Sequence, residues 1–191
     1  DPGRGVEADA SVVREDGRTV TVRVGALRPG QVVATRPIVW LQGIAKSDKL
    51  DAIVRDATEL GVTRIVPCVS RFSVVKLDAH KAEDKRARWE RIAQQAARQC
   101  GRADVPVVDA PCDLANALAA VDATHRRFFL YERADVPLGP PLRASLDADE
   151  ALAFAVGPEG GFAEDEVELA RSTGWHIASL GDTVLRTETV A

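Results

Sequence analysis

The sequence predicts an α/β protein with a mainly parallel sheet, preceded by the end of a small β domain. From Ile38 onward, short apolar runs alternate with helical stretches of comparable length. That is the pattern of strands joined by crossover helices that cover both faces of a sheet. Before Arg36, apolar and polar residues alternate on either side of Asp16-Gly17, the grammar of a hairpin. The apolar share of 46% in 191 residues is enough for one sizeable core.

The elements follow in order. Residues 10–24 form the hairpin, with Gly17 supplying a positive φ at its turn, and "LRPGQVV" adds a turn at Pro29-Gly30. "IVWLQGI" is the first strand of the α/β part. Ser47 is placed to cap a helix whose apolar face is Leu50, Ile53, Val54, Ala57 and Leu60, stopped by Gly61. "RIVPCV" is the next strand. A long helix over 81–99 buries Trp89, Ile92, Ala93, Ala96 and Ala97 and turns Lys85, Arg88, Arg91 and Arg98 outward. "VPVV", "RRFFLY", "ALAFAV" and "WHIASL" are further strands. Short helices fall at 114–121 and, after a glycine loop, at 164–172, which Gly174 ends. The chain divides near Arg36 into 1–36 and 37–191. Both ends read as cut: there is no Met, and "TETVA" stops where a helix is predicted to begin.

Composition excludes several function classes. No window approaches 18 uninterrupted apolar residues and no secretory leader is visible, so no membrane contact is expected and the cytosol is the expected compartment. Three widely spaced cysteines, Cys68, Cys100 and Cys112, fit reduced thiols better than a disulfide framework or a zinc site. His80, His125 and His176 are scattered, and no metal is implied. The net charge of −4 opposes general polyanion coating, yet it divides as +1 over 1–70, +5 over 71–102 and −10 over 103–191. A basic middle in an acidic chain suggests a local anionic partner, or else a solvated helix face.

The chemistry concentrates in "GPEGGF", residues 157–162, which follows "ALAFAV" directly. Strand, glycine turn and helix start present unpaired backbone N–H groups at the C-terminal edge of a sheet. Phosphate is disfavoured: no Lys-Ser or Lys-Thr completes a P-loop, no GxGxxG is present, and Glu159 sits where the phosphate would. A neutral or cationic ligand with ribose hydroxyls suits the loop, and S-adenosylmethionine is one. On the residues alone, a simple tight turn with Glu159 stabilising the helix dipole serves equally. "LGDTVLRTET", residues 180–189, brings a second glycine turn and then Arg186, Thr187 and Glu188, with Thr187 placed as a helix cap. Two such turns on consecutive strands can share one crevice, where Arg186 and Glu188 would orient a base or simply pair.

"GPEGGF", "LGDTVLRTET", "DATELGVTRIVP" and "RWERIAQQAARQCGR" occur in this order, and in this the chain resembles the RsmE family, the 16S ribosomal RNA uridine-N3 methyltransferases of the SPOUT superfamily. The resemblance runs from Trp40 to Ala191. It implies a SPOUT-type domain with a C-terminal trefoil knot, an exception to the rule against threaded chains. It also implies that residues 1–36 are the remnant of a PUA-like β domain, that the protein is a homodimer, and that the cofactor is S-adenosylmethionine. The implied cofactor contacts are Leu130, Tyr131 and Glu132; Val156, Gly157, Glu159, Gly160 and Gly161; and Leu180, Gly181 and Leu185. Arg186 and Glu188 are the implied catalytic pair. Lys46, Lys49, Arg71, Arg98 and Arg102 fall at positions expected to face RNA.

The sequence departs from the family pattern in three places. Arg71-Phe72-Ser73 stands where Glu-Arg is common. Ala163 replaces a capping Ser or Thr, a loss of about 1 kcal/mol that Glu164, Asp165 and Glu166 partly offset. Asp182-Thr183 replaces Pro-Arg and removes one positive charge. The implied reaction is methyl transfer to uridine N3 of 16S ribosomal RNA in the small subunit. The competing readings are ribose 2′-O-methylation within the same superfamily and a non-catalytic RNA-binding module.

Overall fold

The computed structural model describes residues 5–30, 32, 36–46, 48–73 and 79–190. Its centre is a parallel sheet of β5 (Ile38–Gly43), β6 (Arg64–Val69), β7 (Val107–Val108), β8 (Cys112–Asp113), β9 (Arg126–Leu130), β10 (Leu152–Val156) and β11 (His176–Ala178), ordered β11-β9-β10-β5-β6-β7 with β8 also on β6. Every pairing within it is parallel. The crossovers are α1 (Lys49–Glu59), α2 (Ala79–Cys100), α3 (Leu114–Ala119), α4 (Gly139–Asp147) and α5 (Glu164–Ser172), and α6 (Thr187–Val190) follows β11. Among the described residues no helix is long and apolar enough to cross a membrane.

Strand alternation sorts the core. Val39 and Leu41 of β5 join Val66, Phe129 and Ala155 beneath α3 and α5, where Leu118, Val167 and Ala170 pack. Trp40 points to the other face, among Ile53 and Val54 of α1 and Trp89 and Ala93 of α2. This is the period-2 pattern of a sheet covered on both sides.

Leu60 does not belong to the α1 stripe; it is 71% exposed. The helix ends one residue earlier, Gly61 takes φ +98, and Val62 N–H and Gly61 N–H donate to Ala57 O and Thr58 O. In this Schellman turn the buried apolar residue after the helix is Val62. The Ser47 cap lies outside the described residues. Asp48, at the N-cap position, makes no side-chain cap bond.

α4 is a helix that apolar periodicity does not reveal. It begins at Gly139 with proline in its first turn, where a missing N–H costs nothing. Arg36 closes its far end, with Nη1 donating to Glu150 O (2.9 Å) and Nη2 to Leu146 O (3.2 Å).

Ahead of the sheet, β2 (Ala10–Glu15) and β3 (Val20–Val24) pair antiparallel, with an irregularity between Val12 and Arg14. The connection is four residues long, with Gly17 at φ +83 and Asp16 Oδ1 accepting from Thr19 N–H at 2.8 Å. Pro29-Gly30 is not a turn: β4 (Arg28–Pro29) pairs with β1 (Val6–Glu7), and Gly30 N–H donates to Gly5 O. The three cysteines are free thiols, and burial pushes the Cys68 thiol up.

Candidate active site

The site is built at the C-terminal ends of β9, β10 and β5, where parallel strands deliver their loops to one edge. Glycine is required there for room. A Cβ on Gly43 at the end of β5 would lie 2.4 Å from Pro158 Cδ, and one on Gly160 would lie 2.8 Å from Phe72 Cβ. Gly161 takes φ +68 and brings the turn back toward Gly157.

Beneath this loop lies a buried polar network. Gln42, at 0% exposure, donates from Nε2 to Thr187 Oγ1 (2.9 Å) and Gly157 O (3.3 Å) and accepts from Trp40 Nε1 (3.0 Å). Thr187 Oγ1 in turn donates to Gly157 O at 2.7 Å. Thr187 is therefore not a helix cap. It is 5% exposed and binds the glycine loop, while Arg186 O accepts the first helical N–H groups of α6. The segment after β11 thus leaves the sheet edge and returns to β5 and β10 at its centre. Gln42 could have been flagged from sequence as the one polar side chain inside "IVWLQGI".

These loops enclose a cavity of about 400 Å³. All eleven residues expected to contact a cofactor line it: Leu130, Tyr131 and Glu132 after β9; Val156, Gly157, Glu159, Gly160 and Gly161 after β10; and Leu180, Gly181 and Leu185 after β11. Arg186 lines it too, exposed and with no hydrogen bond from its guanidinium among the described residues. Thr183 and Val184, within the 180–185 loop that the resemblance assigns to the cofactor, line the cavity as well, and Lys49 and Val190 do so from outside the three loops.

The charges are arranged differently from the expectation. Glu159 accepts from Lys46 N–H at 3.1 Å and pairs with Lys49 Nζ at 3.4 Å, so its carboxylate already has partners. Lys49 Nζ also forms an ion pair with Glu188 Oε2 at 3.2 Å and thus bridges the glycine loop and α6. Glu132 is the less tightly paired carboxylate of the cavity wall. Its oxygens lie about 3.4 Å from where a Gly161 Cβ would be, and its ion pair, to Arg133, is 4.0 Å long. The Glu188 carboxyl is held below the ordinary glutamate value, first by its own backbone N–H and then by Lys49 and Arg186.

The residues expected at RNA separate into two groups. Lys46 and Arg98 are exposed. Arg71 is exposed but pairs with Asp165 on α5, while its N–H donates to Glu166 Oε1 at 2.8 Å. Glu166 also accepts from Ala163 N–H at 2.8 Å, which restores half of the cap that alanine lacks. Arg102 faces inward, contrary to expectation. It is 6% exposed and donates to Thr58 O (2.5 Å) and Val62 O (3.0 Å) at the end of α1 while pairing with Asp104. Burial and full use of its donors make it a structural clamp. Among the described residues no group of His, Cys, Asp and Glu could hold a metal.

A family model described as an RNA methyltransferase domain matches residues 34–191. The chain is 36% identical over 151 residues to ribosomal RNA small subunit methyltransferase E of Bacillus subtilis (strain 168), covering 77% of this chain and 59% of that protein. It is 30% identical over 194 residues to the protein of the same description from Mycobacterium tuberculosis, covering 99% and 73%. A crystal structure of ribosomal RNA small subunit methyltransferase E from Neisseria gonorrhoeae bound to S-adenosyl methionine matches with a TM-score of 0.85 at 28% identity, over 98% of this chain and 75% of that one. A structure from Legionella pneumophila in complex with bound S-adenosylmethionine matches at 0.82 and 30%, over 98% and 76%. The chain thus spans only part of these relatives, down to 50% of the one from Synechocystis.

Proposed function

The chain belongs to the RNA methyltransferase family that contains ribosomal RNA small subunit methyltransferase E, and from that membership we propose that it methylates uridine N3 in 16S ribosomal RNA of the small subunit, using S-adenosylmethionine. The observation that carries the reading is the convergence of three loops on one cavity, with an arginine at its wall whose guanidinium makes no hydrogen bond among the described residues. The residues fit the cofactor. Leu130, Val156, Leu185 and Val190 offer apolar wall, Glu132 offers a carboxylate suited to ribose hydroxyls or a cationic centre, and the glycine loop offers backbone groups. When bound, S-adenosylmethionine supplies an electrophilic methyl group.

The chain's own residues do the rest. Uridine N3 carries a proton, which passes to solvent water as the methyl group takes its place, and its loss leaves negative charge spread over N3 and the flanking carbonyl oxygens. Arg186, whose guanidinium makes no hydrogen bond among the described residues, donates to that face of the base and stabilises the charge. Glu188 is held below its ordinary value first by its own backbone N–H and then by Lys49 and Arg186. A carboxylate below its ordinary value is a weak proton acceptor, which favours Glu188 as the residue that positions Arg186 and Lys49 over Glu188 as the base. Holding a splayed-out base against the methyl donor can itself contribute about 7–11 kcal/mol.

Around this centre the return of residues 180–186 to Gln42 and Gly157 supports a trefoil-knotted SPOUT domain. The hairpin region over 1–36 is then the end of a PUA-like domain, the protein a cytoplasmic homodimer, and Lys46 and Arg98 part of its RNA-facing surface. The experiment is incubation with S-adenosylmethionine and small-subunit RNA from cells lacking the protein, followed by mass spectrometry of the nucleosides. 3-Methyluridine is the expected product; a ribose-methylated nucleoside, or none, refutes the proposal.

A further inference from the structure

A second cavity, of about 320 Å³, lies at the opposite edge of the sheet, lined by Ala123, His125, Arg126, Arg127, Gly174, Trp175 and His176. It sits where β9 and β11 begin, about 13 Å along the five residues of β9 from the candidate active site. Its lining is one-sided in chemistry: two guanidiniums, two imidazoles and an indole, with no carboxylate among the lining residues. Three of these side chains carry a buried nitrogen without a hydrogen-bond partner: His125 Nδ1, Trp175 Nε1 and His176 Nε2. Buried polar atoms are nearly always paired, so three orphans around one cavity mark a missing polar partner. The indole and guanidinium groups can only donate, so that partner must accept.

The backbone is shaped to keep these groups there. Gly174 closes α5 in a Schellman turn at φ +83, with Trp175 N–H donating to Ala170 O. A Cβ on Gly174 would come within 2.8 Å of Arg127 Nη2, so glycine makes room for that guanidinium. Arg126 lies over the Phe128 ring at 5.8 Å, and His176 stands edge-on to the same ring. Asp122 is the neighbouring acid; its carboxyl is held below the ordinary aspartate value first by Thr124, whose N–H it accepts at 2.8 Å, and more weakly by the charges of His125 and Arg127.

We propose that this cavity is a phosphate-binding site, taking a phosphate group on Arg126, Arg127 and the Trp175 indole N–H. The group comes either from the RNA backbone or from free phosphate, and the inference stands apart from the methyl-transfer reading. The test is a titration of the 15N-labelled chain with inorganic phosphate, following the indole N–H resonances. Trp40 Nε1 and Trp89 Nε1 already donate to Gln42 and Asp51, so they serve as internal controls.

The Trp175 resonance should shift with saturation while the other two stay still, and Arg126→Gln/Arg127→Gln should weaken phosphate binding about tenfold or more. A parallel titration with a single-stranded RNA oligonucleotide separates the sources: a shift there too assigns the backbone phosphate, and a shift with phosphate alone assigns the free ion. An unmoved Trp175 resonance in both titrations of the unaltered chain overturns the site, whatever the variants do.

Discussion

Arg186 and Glu188 stand two residues apart yet have opposite surroundings. The Arg186 guanidinium lines the cavity and makes no hydrogen bond among the described residues, while the Glu188 carboxylate pairs with a lysine from another helix. Arg186→Ala should leave S-adenosylmethionine affinity within a few-fold while lowering single-turnover methyl transfer by about 10²–10³, the loss expected for one donor aimed at developing charge. A matching rate would make Arg186 structural. The pH behaviour of Glu188 follows from the direction of its shift. Its folded value lies below the ordinary 4.5, so the stability it contributes is present above that pH and is lost as pH falls through the lowered folded value. Lys49→Met should raise the Glu188 value, read by carbon NMR of its carboxyl, and move that loss to higher pH. Sequence motif pointed to Arg186 and Glu188 because both follow the Gly181 turn at a recognisable spacing; Arg186 lines the cavity, whereas Glu188 is not among its lining residues and meets it through Lys49. The motif could not tell Arg98 from Arg102, since both are arginines near a helix end. Only the fold shows that Arg102 spans the Schellman turn after α1, donating to Thr58 O and Val62 O on either side of it.

At the scale of elements, legibility followed burial pattern. β6 and α5 have the bounds that the apolar runs and caps predict, Arg64–Val69 and Glu164–Ser172. α4 escaped because "GPPLRASLD" carries too few apolar residues to show a stripe, and its prolines, which sit in the first turn, give no helical periodicity. Arg36 binds the carbonyl of Leu146 in its last turn and that of Glu150 just beyond it. Arg102→Ala should unwind the end of α1, costing about 1–3 kcal/mol in urea unfolding, whereas an exposed pair such as that of Arg55 with Asp56 is worth about 0–1. The meeting of β5 with the glycine loop is a second test of element packing. Gly43→Ala would drive a methyl group into Pro158, whose backbone N would be 2.5 Å away, so the loop must shift. The expected result is a folded protein with S-adenosylmethionine affinity reduced at least about tenfold, since a rigid backbone contact has no rotamer by which to escape. Unchanged calorimetric affinity would mean that the loop does not form the cofactor wall.

Over the whole molecule, the formal charge of the basic middle overstates what is available to RNA. Of its cations, Arg86 pairs with Glu83 and Glu90, Arg88 with Asp48 and Asp51, and Arg102 is buried. Arg91 and Arg98 remain exposed on α2 without an ion pair among the described residues, and Arg98 lies one turn from the Gly101 that ends the helix. Charge counting along the sequence cannot see this, because pairing partners such as Asp51 arrive from another helix. The acidic portion over 103–191, at −10, repels a polyanion except at its own arginine-lined cavity. Docking of RNA through α2 therefore neutralises few phosphates and has a shallow salt dependence. Replacing both Arg91 and Arg98 with Glu should flatten the log–log salt slope of RNA binding by about 0.7 for each single-strand phosphate that the variant no longer neutralises. Cofactor affinity should persist, because neither residue lines the cavity. Fluorescence anisotropy over a range of salt concentrations measures that slope. If the double variant kept both the slope and the affinity, α2 would be a solvated face, and the RNA contact would belong to Lys46 at the mouth of the site or to the hairpin region that precedes the sheet.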